Sequence, residues 1–209
     1  MAEFELYCFA QSGNSYKAAL MLELCGADWT PRKVEFLQGE TRSDAFRAVN
    51  EMGEAPILIH GDLTLSQSGV ILDYLAEHFH RFGGETPEEK REILRWILFD
   101  NHKLTGYTAT LRFMRAIMKT GETPVTEFFD ARARGAYKIL DKHLANRDFV
   151  VAERPTIADL SLCGYLYFQD EIGIDFSEFG HINAWLERLR GLEGWKHPYD
   201  LMPGHPLPS

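Results

Sequence analysis

The chain has 209 residues, 45% hydrophobic and 25% charged, with a formal net charge of −9 at pH 7. That composition suits a globular protein of one or two cores, and an acidic balance without a basic run excludes nucleic acid as an expected partner. Cys8, Cys25 and Cys163 are widely spaced and form no Cys-x-x-Cys pair, and neither a leader nor a membrane span is expected, so the reading is a reduced cytoplasmic protein.

Phe4–Phe9 reads as a buried strand, and Asn14–Cys25 as an amphipathic helix ending at Gly26. Trp29–Phe36 predicts a second strand and Arg42–Val49 a short helix. Ile57–His60 and Leu63–Leu65 flank Gly61-Asp62, a turn pair, and so predict a hairpin. Gln67–Phe79 carries Val70, Ile71, Tyr74, Leu75 and Phe79 at helical spacing, with His78-Phe79-His80 as a solvated helix end. The order βαβαββα implies a small mixed sheet with helices on its faces.

Beyond Arg81 the glycines and Pro87 break the pattern, and strands disappear. Helices are expected over Pro87–Lys119, Thr123–Ala145, Thr156–Glu171 and Ile182–Arg190, followed by an irregular tail from His197. The expected organisation is therefore residues 1–81, a linker over 82–88, and an all-helical domain over 89–209. Thr156 and Asp159 have the spacing of a capping box, which makes Asp159 structural.

Asn50-Glu51-Met52-Gly53-Glu54-Ala55-Pro56 places a backbone edge before a proline, and Ser66-Gln67-Ser68 opens the next helix. A peptide can pair its main chain with such an edge and rest a carboxylate on a helix N-terminus. The stretch reads as a receptor for a small anionic peptide. Three segments in this order, Asn50–Pro56, Ser66–Leu75 and Pro155–Leu160, resemble the cytosolic glutathione S-transferase family over nearly the whole chain.

That resemblance implies a thioredoxin-like βαβαββα domain followed by an all-α helical bundle. It implies glutathione as co-substrate, a small hydrophobic electrophile as second substrate, a homodimer, and neither a metal nor a membrane. Pro56 is expected to be cis, with Ala55 and Glu54 beside it in the glutathione site. Gln67 and Ser68 would hold the γ-glutamyl end, and Arg42 the glycyl carboxylate, while Lys17 and Arg47 read as surface residues. Gln67 stands where many members carry Glu, which leaves the ammonium short of a charge, and Asp100 of a partner subunit is one source of it.

A thiol attacks as its thiolate, and its ordinary pKa is about 8.5. A hydroxyl donor at a helix N-terminus lowers that value. Ser12-Gly13-Asn14-Ser15-Tyr16-Lys17 resembles the pattern of serine-type members such as the phi class, which assigns Ser12 as activating hydroxyl and Asn14 as helper or cap. Tyr7 and Cys8 are the rivals, both set earlier, inside the strand. Asn101, Leu104, Tyr107, Thr108, Leu111 and Met114 are positional candidates for an electrophile site expected between the domains. Conjugation is the leading activity, with isomerase, peroxidase or disulfide-bond reductase chemistry, or a non-enzymatic binding module, as alternatives.

Overall fold

The computed structural model describes residues 2–207, which fall into two compact units. The first contains residues up to Arg81 together with the chain from Leu192 onward, and the second spans Phe82–Gly191. In the first unit, β1 (Phe4–Cys8), α1 (Gly13–Leu24), β2 (Trp29–Lys33), α2 (Asp44–Val49), β3 (Ile57–His60), β4 (Leu63–Ser66) and α3 (Ser68–Phe79) follow in order. The sheet order is β2-β1-β3-β4, with β2 parallel to β1 and the other pairs antiparallel. This is the thioredoxin-like arrangement.

Helix α1 is not amphipathic, because ten of its twelve residues are buried. It packs against β1, α3 and the C-terminal segment. Lys17, expected at the surface, is fully buried as a consequence. The end of α3 is solvated as expected, with His78 and His80 exposed, and His78 also stands edge-on to Phe4 and shares the Glu3 carboxylate with His60.

The second unit is all-helical. Helix α4 (Pro87–Phe99) and α5 (Thr105–Arg112) lie within the single expected helix, but π-helical turns at Asp100–Leu104 and Phe113–Ile117 interrupt it. At the first of these, the Thr105 N–H donates to the Asp100 carbonyl and the Thr105 hydroxyl to Asp100 Oδ1 at 2.7 Å. Both bonds span five residues, which is the π spacing. Helix α6 (Pro124–Leu144) starts in a capping box at Thr123. The helix expected over Thr156–Glu171 is only α7 (Ile157–Leu162), then turns, then α8 (Gln169–Ile172). Nearly all of that stretch is buried, so its apolar pattern carries no mark of where the helix stops. Helix α9 (Gly180–Arg190) completes the unit.

The domain expected to run from 89 to 209 therefore ends earlier, since the last segment packs with the first unit. Tyr16 donates its hydroxyl to the Lys196 carbonyl at 2.8 Å, and Lys196 pairs with Glu23. A one-turn helix, α10 (Pro198–Leu201), sits within the tail expected to be irregular, and buries Pro198 and Leu201.

Asp159 is the polar centre of the helical unit. Oδ1 accepts from the Val150 N–H and the Trp185 indole, both at 2.9 Å, and Oδ2 from the Thr156 N–H at 2.8 Å and the Thr156 hydroxyl at 3.0 Å. Burial pushes this carboxyl up, and the four donors oppose that push. Replacing Asp159 by Ala strands buried donors on three separate segments. We expect a loss of about 3–5 kcal/mol, read as a drop of roughly 10 °C in the thermal midpoint, whereas Thr156→Ser, which keeps the cap, stays within a few degrees of the parent.

Candidate functional site

The loop from Asn50 to Pro56 is built around one side chain. Asn50 is buried; its Nδ2 donates to the Glu54 carbonyl at 2.7 Å, and its Oδ1 accepts the Met52 N–H at 3.2 Å. Gly53 adopts φ +65°, and a Cβ there would lie 2.8 Å from the Thr41 carbonyl. Glycine therefore lets the loop lie close against the 3₁₀ turn Glu40–Arg42. Arg42 is exposed and has no ion-pair partner among the described residues.

The Ala55-Pro56 bond is cis. The backbone N–H and C=O of Ala55 take part in no hydrogen bond among the described residues, so one peptide edge is open. Tyr7 pairs with Ile57 across the sheet, which brings this open edge and the turn after Cys8 to the same end of the sheet.

Gln67 connects the two halves of the motif. Its backbone is held at φ 69°, a left-handed value that non-glycine residues rarely adopt. Its Nε2 donates to Glu54 Oε2 at 3.0 Å. Ser68 is buried, no side chain caps α3, and no acid lies in its first turn. The helix start thus favours an anion through its unpaired N–H groups and dipole.

Ser12 caps α1, and its Oγ accepts the Ser15 N–H at 3.1 Å. Accepting does not use the hydroxyl hydrogen, which remains able to donate. Asn14 Oδ1 is buried without a partner among the described residues. An orphaned polar atom next to a helix start is what a ligand contact would satisfy, with either end of the amide turned inward.

The rivals of Ser12 point elsewhere. The Tyr7 ring packs with Val34, Phe46 and Ile57, its face lies 4.3 Å from the Arg32 guanidinium, and its hydroxyl accepts from Arg32 on the neighbouring strand. Cys8 is fully buried, and burial pushes its thiol up to about 12, leaving no thiolate near neutrality. Asp100, considered as an acid lent to a partner, is fully buried: besides Thr105, it accepts the Ser161 hydroxyl at 2.6 Å. A carboxylate with both oxygens engaged inside its own helical unit cannot reach a partner. Leu104, Thr108 and Leu111 are also fully buried and line no open surface, while Tyr107 and Met114 are half-buried and Asn101 is exposed.

Sequence reasoning missed the closure of the Ser12 turn from outside. Ala10 N–H donates to the Pro203 carbonyl at 2.8 Å and Gln11 Nε2 to the Gly204 carbonyl at 2.7 Å. No local signal could have found this, because the partners lie more than 190 positions apart.

The model of the glutathione S-transferase N-terminal domain matches residues 2–77, and that of the C-terminal domain residues 108–193. A solved structure of a possible glutathione S-transferase from Rhodopseudomonas palustris is 32% identical with a TM-score of 0.89, covering 94% of this chain and 98% of that one. The chain belongs to the glutathione S-transferase family. A glutathione S-transferase of Xanthomonas campestris, GST-4.5, is 28% identical over 158 residues, 71% of this chain and 75% of that protein. The structure of Ure2p in complex with glutathione shares the transferase fold at a TM-score of 0.83 and 21% identity, covering 92% of this chain and 91% of that one.

Among the described residues, no group of three His, Cys, Asp or Glu could hold a metal ion, and no helix is long and apolar enough to cross a membrane. Asn50→Ala removes both hydrogen bonds that shape the loop. We expect a loss of about 2 kcal/mol in urea unfolding, while Arg47→Ala, which frees only an exposed bond to the Glu51 carbonyl, changes stability by less than about 0.5 kcal/mol.

Proposed function

We propose that the chain conjugates the thiolate of glutathione to small hydrophobic electrophiles, acting as a cytoplasmic homodimer that needs no metal. Ser12 activates the thiol with Asn14 as its helper, and Arg42, Glu54, Ala55, Pro56, Gln67 and Ser68 hold the tripeptide. One observation carries this reading. The open Ala55 edge and the uncapped α3 start flank a Ser12 whose hydroxyl hydrogen is uncommitted. Family membership supports the activity class, and glutathione in the similarly folded Ure2p supports the ligand.

The chemistry asks little of the protein beyond positioning and charge. The Ala55 edge pairs with the cysteinyl backbone, the α3 start takes the γ-glutamyl carboxylate, and the thiol falls at the α1 start. There the Ser12 hydroxyl donates to the sulfur and favours the thiolate over the thiol. Oriented donors that meet developing or standing charge without reorganisation are an efficient catalytic device.

The sign of the pH effect follows. A donor to the thiolate lowers the thiol pKa, so its loss raises the apparent pKa and removes rate on the acid side first. Ser12→Ala is expected to move the pH–rate profile up by about one to two units, whereas Tyr7→Phe leaves it in place. A profile moved by Tyr7→Phe alone refutes the assignment to Ser12. Retention on immobilised glutathione without turnover of any electrophile would mark a binding module instead.

A further inference from the structure

A glutathione ligand brings an ammonium beside its γ-glutamyl carboxylate, and a neutral Gln67 gives that ammonium no charge to meet. Asp100 is sealed inside the helical unit with both oxygens engaged. The acid that does stand at this place is Glu54. Its carboxylate is exposed and held 3.0 Å from Gln67 Nε2 through Oε2, and its backbone carbonyl is fixed by Asn50.

We propose that Glu54 supplies the counter-charge for the α-ammonium of the bound peptide, so that each chain carries its own zwitterion clamp. The positive end of α3 at Ser68 takes the carboxylate, and the Glu54 carboxylate takes the ammonium across the Gln67 side chain. Gln67 then acts as the spacer: its amide nitrogen orients Glu54, and its amide oxygen remains to accept one ammonium hydrogen. A Glu at position 67 would set two carboxylates against each other, so Gln67 and Glu54 form a matched pair. The clamp selects ligands with a free α-amino acid head over analogues that keep the carboxylate alone. This inference rests on the glutathione reading above and deepens it.

The test is calorimetric titration of the full chain with glutathione and with its des-amino analogue, in which hydrogen replaces the α-amino group. The parent is expected to prefer glutathione by about tenfold, the scale of one charge-assisted hydrogen bond. Glu54→Gln should reduce that preference to within about twofold without changing the affinity for the des-amino analogue. Adding Gln67→Glu to Glu54→Gln should restore it, which guards against a variant that is merely misfolded. A tenfold preference that survives Glu54→Gln, an equal weakening of both ligands, or a parent that does not distinguish them overturns this inference and leaves the transferase reading standing. A parent that binds neither ligand overturns the transferase reading and this inference with it.

Discussion

The first unit depends on the burial of α1 on all sides. A helix with ten of twelve residues out of water needs cover beyond one sheet face and one neighbouring helix. The returning C-terminal segment provides it, with Pro198 and Leu201 as apolar cover and the Lys196 carbonyl as the acceptor for Tyr16. Burying a side chain such as Leu20 or Met21 contributes about 1.5–3 kcal/mol only when it is fully covered. The same cover leaves the start of α1 as the exit for its unpaired backbone N–H groups, where Ser12 caps one and the others face the turn.

Two buried carboxylates tie the helical unit together. Asp159 joins α7, the Val150 segment and α9, while Asp100 joins the first π turn to α7. Each accepts hydrogen bonds on both oxygens, which is how a buried charge is tolerated. The exposed surface of the candidate site follows the opposite rule. Arg42, Glu54 and Gln67 keep capacity to spare, and the Ala55 backbone is unpaired. On the proposed reading, stability and binding draw on different polar groups.

What could be read from the chain was local. The capping box at Thr156, the hairpin around Gly61-Asp62 and the loop before Pro56 each depend on residues a few positions apart, and all three stand in the structure. What could not be read was tertiary. Lys17 looks like a surface residue until α1 is covered from every direction, and Asp100 looks available to a partner subunit until Ser161 arrives from 61 positions away. The buried run after Leu162 has no polar face to mark its end. A proline-bearing tail reads as irregular because its partners, Ala10 and Gln11, belong to the other end of the chain.

That last contact has a consequence for synthesis. The turn presenting Ser12 is made more than 190 residues before the carbonyls that brace it. With synthesis at ~5–20 residues per second, the hundred-odd residues between Arg81 and the tail take roughly 5–20 s to appear. Through that interval α1 lacks one side of its cover, and the nascent unit presents an apolar helix that the finished protein hides. The Ser12 turn is completed only once residues 196–204 have been made, so a product stalled or clipped before them would expose the core of the first unit.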